Sequence, residues 1–292
     1  MFLRSLVFTA IALALAAGFG LAGSQVSIEW RGFSAYALCV IFAFTIQWAG
    51  FIPAYLLQTE RFYDLTGSLT YLSITAFILY VIQTELDLRD IILAAMVAIW
   101  AARLGTFLFM RISKDGIDKR FVKIKPNPFR FFTTWTIQGV WVTVTASAAF
   151  VAMLSQATVP LGWLGYIGIA LWIIGLSFEA VADQQKRKFK VTQAETGHKF
   201  IHTGLWAYSR HPNYFGEILL WFGVLLVALP VLSGWAYITI ISPLFVTLLL
   251  TRVSGVNLLE EAADKRFGDD PQYAKYKANT PVLVPRLGKA GY

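Results

Sequence analysis

Eight long apolar runs constrain this chain more than any other feature. They lie at roughly residues 4–22, 33–57, 64–83, 90–112, 131–155, 160–182, 213–230 and 235–252. About 20 helical residues cross the hydrocarbon of a bilayer, where a helix satisfies its own backbone hydrogen bonds. The runs are continuous rather than alternating, which argues against a transmembrane β-barrel. Charged residues make up 14% of the chain and hydrophobic ones 57%, against about 25% and about 45–50% in a soluble domain. So few charges do not coat a globule. A soluble enzyme, a disordered region, a collagen-like fibre and a disulfide scaffold are therefore excluded. The expected fold class is all-α, a polytopic membrane helical bundle of about seven to eight transmembrane helices in one domain, residues 1–292. The last two runs are slightly short and are expected to form a broken or tilted pair.

Lysine and arginine are distributed unevenly. Loop 113–130, loop 183–212 and the tail from residue 252 hold 19 of the 25 basic residues. The loops around 23–32 and 84–89 hold only Arg31 and Arg89, and those at 156–159 and 231–234 hold none. Basic loops stay on the cytoplasmic side, so the alternation predicts eight helices with both termini in the cytosol. Met1-Phe-Leu-Arg4, an apolar stretch and Leu21-Ala-Gly-Ser24 have the layout of a signal peptide. A retained first helix or an uncleaved anchor is expected there. Cys39 is the single cysteine, which excludes an intramolecular disulfide and a cysteine metal site. His198, His202 and His211 lie close in sequence but are expected to serve the loop, and no metal is expected.

Charges inside apolar spans are costly and mark function by default. Arg103 lies in the fourth span, Glu179 and Asp183 end the sixth, and Glu217 lies one turn into the seventh. Glu179, Asp183 and Arg187 recur every fourth residue and share a helical face. Tyr208-Ser-Arg-His-Pro-Asn-Tyr-Phe-Gly-Glu217 opens the seventh span. Pro212 suits a first helical position, where its missing N–H is not needed. Asn213, Glu217 and Trp221 then follow one another along one face. Free N–H groups at a helix start, flanked by Arg210, suit an anion, and Glu217 adds an acceptor. An anion beside acceptors describes a dinucleotide or an adenosyl cofactor. No Gly-x-Gly-x-x-Gly turn joins a strand to a helix, so a Rossmann domain is absent.

The segment Tyr208–Glu217 resembles the signature of the membrane-embedded steroid 5α-reductase superfamily, to which sterol C14-reductases are related. Gly204-Leu-Trp206, Leu250-Thr-Arg-Val-Ser-Gly255 and Phe267-Gly-Asp-Asp-Pro-Gln-Tyr273-Ala-Lys-Tyr276…Pro285 match as well. The resemblance covers about the last 130 residues well and residues 60–112 loosely. It implies NADPH-dependent reduction of an activated carbon–carbon double bond, such as that of a 3-oxo-Δ4 steroid. It also implies substrate-side candidates in residues 1–112 and cofactor-binding helices, loops and tail in 113–292. By position, Asn213 and Glu217 are similar to residues that hold the nicotinamide or its ribose. Asp183, Arg187, Lys190 and Lys199 look like contacts to ribose and phosphates. Arg103, Arg111, Tyr208, Arg210, His211 and Arg252 look like further phosphate or adenine contacts.

Hydride addition to the β-carbon of an enone builds negative charge on the carbonyl oxygen, and a donor aimed there lowers the barrier. The superfamily uses a Glu and a Tyr from earlier helices. The junction Gln58-Thr-Glu60-Arg-Phe-Tyr63-Asp64 supplies Glu60, Tyr63 and Asp64 as candidates. The family's Tyr falls near Trp100 here, a departure that leaves the proton route open. A lipophilic substrate would enter from the bilayer among membrane lipid. No nucleic-acid partner is expected, and the membrane expected is a bacterial inner membrane with the cofactor site on the cytoplasmic side. A second reading stays open. Membrane S-adenosylmethionine methyltransferases of isoprenylcysteine or phospholipid type share an Arg-His-Pro-x-Tyr segment and a late Glu-Glu pair, here Glu260-Glu261. Asn213, the Gly204-Leu-Trp206 segment and the Asp183/Arg187/Lys190 cluster favour the reductase.

Overall fold

A computed structural model describes residues 2–116, 118, 120–197 and 199–286. Lys119, His198 and Lys289 lie outside them. The helices are α1 (Phe2–Ser24), α2 (Ala35–Leu56), α3 (Tyr63–Val81), α4 (Leu88–Asp115), α5 (Pro128–Thr145), α6 (Ser147–Met153), α7 (Trp163–Thr196), α8 (Pro212–Ala228), α9 (Ile241–Leu248), α10 (Val256–Phe267) and α11 (Pro271–Asn279). A 3-10 segment, Gly234–Ile240, leads into α9, and a π-helical turn, Leu249–Val253, follows it. Among the described residues seven helical stretches are long and apolar enough to cross a membrane, or eight when α5 and α6 are joined. The chain is an all-α polytopic helical bundle and an integral membrane protein.

A bend falls within the fifth span. α5 and α6 meet at 55°, at Ala146, where Thr143 Oγ1 donates to Gly139 O and Ser147 Oγ to Val144 O. Hydroxyls that bond back to their own helix compete with its ladder and bend it.

The described residues divide into two compact units: unit 1 is 1–165 with 224–242, and unit 2 is 166–223 with 243–292. In unit 1 small and polar residues let helices approach. A Cβ on Gly105 would lie 2.4 Å from Ser68 Oγ, and one on Gly67 would lie 2.4 Å from Gln138 Nε2. Gln47, fully buried on α2, donates to Thr70 Oγ1 on α3 at 2.8 Å. Close backbones and interhelical hydrogen bonds replace the hydrophobic drive that lipid removes. A two-residue hairpin pairs Glu29–Trp30 with Phe33–Ser34. At the start of α4, Asp87 and Asp90 form a capping box. Buried Arg89 donates to the carbonyls of Val227, Val159 and Pro160.

In unit 2, α7 and α8 touch backbone to backbone. A Cβ on Gly216 would lie 2.5 Å from Gly175 O, and one on Gly223 would lie 2.5 Å from Gly168 O. The pairs are seven residues apart on each helix and run in opposite directions, which sets an antiparallel contact of small residues.

Candidate active site

The site residues read from the sequence fall into two groups, one in each unit. In unit 1, Glu60, Tyr63, Asp64 and Arg111 belong to a polar cluster around the α2–α3 junction and the loop after α4. Buried Glu60 accepts from the Asp118 backbone N–H at 2.9 Å and from Lys125 Nζ. Tyr63 donates its hydroxyl to Thr134 O at 3.0 Å, and its ring stands edge-on to Phe121 and Trp135. Asp64 lies 3.8 Å from both Arg111 and Arg120, and Arg120 pairs with Asp118 at 2.6 Å. Burial pushes the Asp118 carboxyl up, but hydrogen bonds and charge from Arg120 outweigh it and hold the group below the usual carboxylate range. Burial likewise lowers the Arg120 guanidinium, yet Asp118 and Asp64 outweigh that and hold it above its ordinary value. Arg103 lies on α4 with its guanidinium over the Phe107 ring. Trp100 packs edge-on against Tyr71 of α3, at 5.1 Å between centroids.

Unit 2 collects the remaining residues. Pro212 is the first residue of α8, as its missing N–H predicts. One residue later Asn213 Nδ2 donates to Asp183 Oδ1 on α7 at 3.2 Å. Glu179, Asp183 and Glu217 are all buried, while Arg187, Lys188 and Lys190 are exposed where α7 continues past its apolar part. The close contact of Gly175 with Gly216 fixes the two helices that carry this acid–amide set.

The loop before α8 is fixed on several sides. Trp206 Nε1 donates to Ala182 O at 3.1 Å, Leu205 N to Gln185 Oε1 at 2.9 Å, and Tyr276 Oη to Trp206 O at 2.7 Å. Burial holds the Tyr276 hydroxyl above the ordinary tyrosine value. The tail runs alongside: Arg210 N donates to Pro281 O, Ser209 Oγ to Leu283 O, and Arg286 N to Tyr208 O. Arg210 and His211 both pair with Glu260 of α10, the latter at 2.8 Å. The His211 ring stacks on Tyr214. Lys199 pairs with Asp270 at 2.9 Å, and its hydrogen bond holds that carboxyl below the usual range. Arg252 is exposed on the π-helical turn.

Glu260, Gln185 and Tyr276 carry more of this site than their sequence context announces. Their partners lie 20 to 70 residues away, so no local pattern marks them.

Comparison with known proteins fits this geometry. Residues 50–280 match the family described as "Protein of unknown function (DUF1295)", and the chain belongs to that family. It is 26% identical over 231 residues to an uncharacterized protein of Schizosaccharomyces pombe, covering 68% of this chain and 64% of that one. It is 37% identical over 70 residues to 3-oxo-5-alpha-steroid 4-dehydrogenase 1 of Bos taurus, covering 24% of this chain and 26% of that one. It is 34% identical over 127 residues to the Delta(14)-sterol reductase of Saccharomyces cerevisiae, covering 40% of this chain and 25% of that one. The chain thus spans less than two thirds of each of these relatives. These names agree with the superfamily resemblance. No solved structure matches the chain.

Proposed function

We propose that this protein is an NADPH-dependent reductase of a carbon–carbon double bond conjugated to a carbonyl, in a 3-oxo-Δ4 steroid or a similar lipophilic enone. The observation that carries the reading is the Asn213–Asp183 hydrogen bond between α8 and α7. Glu179 and Glu217 are buried on the same two helices, and exposed Arg187, Lys188 and Lys190 lie further along α7. The donor set fits the cofactor: an amide and carboxylate acceptors suit a carboxamide and ribose hydroxyls, and cations suit phosphates. Asp183, Asn213 and Glu217 would hold the nicotinamide and its ribose. Arg187, Lys190, Lys199, Tyr208, Arg210, His211 and Arg252 would serve the phosphates and adenine; Arg103 and Arg111, which lie in unit 1, are not assigned to that set. The chemistry that NADPH brings when bound is hydride donation to the β-carbon.

The donor to the substrate carbonyl is proposed among Glu60, Tyr63 and Asp64. Glu60 and Asp64 are both engaged by cations. Tyr63 carries an O–H, which makes it the favoured donor of the three. The names of the bovine and yeast relatives support the reaction class. The Glu260–Glu261 pair lends little to methyl transfer, because Glu260 is engaged by Arg210 and His211. The concentration of basic residues in loops 113–130 and 183–212 and the tail supports a cytoplasmic location for the cofactor residues, and the membrane proposed is a bacterial inner membrane.

The test is a thermal shift of the purified protein in detergent. A ligand that binds only the folded state raises the melting temperature. NADPH is expected to raise it and S-adenosylmethionine to leave it unchanged. The opposite result overturns the proposal.

A further inference from the structure

Glu260 is where three basic side chains of unit 2 meet. Arg210 Nη1 bonds Oε2, His211 Nε2 bonds Oε1 at 2.8 Å, and Lys277 Nζ stands 3.9 Å from Oε2. Asp264, one turn further along α10, takes Lys277 and accepts from the Tyr273 hydroxyl at 3.2 Å. The Arg210 and Glu260 side chains are only 11% and 19% exposed, so solvent screens the pair weakly. Arg210 and His211 immediately precede Pro212. Holding both side chains on one carboxylate fixes how the chain enters the turn that carries Asn213. Ser209 and the tail add neutral hydrogen bonds to residues 208–211, so Glu260 supplies the charged part of the hold.

We propose that Glu260 is a positioning residue. Its charge holds Arg210 and His211, and through them the start of α8, in the geometry that binds the cofactor. This rests on the reading of unit 2 as the NADPH site. Glutamine keeps the shape of the side chain and removes its charge, so E260Q isolates the charge from the packing.

Two measurements test the idea. The first is hydrogen–deuterium exchange of residues 205–214 without added nucleotide, in wild type, E260Q and R210M. Both variants should exchange faster there and unchanged in α2 and α3. Should E260Q fail to fold, R210M decides the question from the other side of the pair. Unchanged exchange overturns the proposal. The second is steady-state kinetics with NADPH. E260Q should raise KM for NADPH about tenfold, as expected for a buried charge pair losing one partner, and change kcat less than about twofold. The double variant E260Q/R210M should have the KM of R210M alone. Additive effects, or faster exchange with KM unmoved, overturn the role in binding. If wild type shows no response to NADPH, the cofactor reading fails, and the exchange result alone decides whether Glu260 holds the loop.

Discussion

The polar clusters of the two units handle charge in opposite ways. In the unit 1 cluster three carboxyls meet cations: Glu60 with Lys125, Asp64 with Arg111 and Arg120, Asp118 with Arg120. The network closes on itself and ties the loop after α4 to the α2–α3 junction. Along α7 and the start of α8 the two signs differ in burial. Glu179, Asp183 and Glu217 are buried, and Arg187, Lys188 and Lys190 are exposed. Paired charge fastens a loop, whereas buried carboxyls with exposed cations beyond them suit the ligand proposed for unit 2.

The contrast can be tested at four places. The largest effect is expected from Asn213→Ala and Glu217→Gln. Each should lower NADPH-dependent reduction of a 3-oxo-Δ4 steroid about 1,000-fold, because orienting the reactants supplies much of the rate. The melting temperature should stay within a few degrees. Wild-type activity in both variants would end the claim that unit 2 holds the cofactor. Next comes Tyr63→Phe, expected to reduce turnover about 100-fold, the scale of general acid catalysis, at unchanged KM for NADPH. Glu60→Gln and Asp64→Asn should reduce it less. A reversed ranking would move the donor role to a carboxylate.

Third, Gly216→Ala forces a methyl group to 2.5 Å from Gly175 O and should destabilise the fold by about 2 kcal/mol, as overpacking does. Gly18→Ala in α1, with open space around it, should be neutral or slightly stabilising, because alanine favours helix over glycine. Equal effects in denaturation would show that the α7–α8 contact is not special. The smallest effect concerns Asp118→Asn, worth under about 1 kcal/mol for a partly exposed pair. The folded carboxyl lies below its ordinary value. Its contribution is therefore present above the unfolded carboxylate range and is lost as pH falls through the folded value. Wild type and variant should differ in denaturation at about pH 7 and converge as pH falls through the value of the folded carboxyl.

The spans were legible because lipid demands long apolar helices, and each of the eight runs falls on a helical stretch. Helix ends were less so. The sixth run ends near 182 by hydropathy, yet α7 continues to Thr196. Gln184, Lys186, Arg187 and Lys188 are good helix formers in water, so the helix outlasts its apolar part. The kink at Ala146 has neither proline nor glycine to announce it. Of the site, the start of α8 at Pro212 and the shared face of Asn213 and Glu217 follow from local rules. The hold of Glu260 on Arg210 and His211 does not, since it joins residues about 50 apart through a fold that no periodicity encodes. The pairing of Glu60 with Lys125 is hidden in the same way.

The backbone ladder between residues 208–210 and 281–286 has a consequence for biosynthesis. Chains emerge from the ribosome amino end first, and the early segments organise while later ones are still being made. The stretch ahead of α8 finds its Pro281, Leu283 and Arg286 partners only after every span has been made. A premature stop or a frameshift after α11 would therefore leave inserted helices in the bilayer and an unfinished entrance to α8, a product for quality-control proteases rather than a slower enzyme.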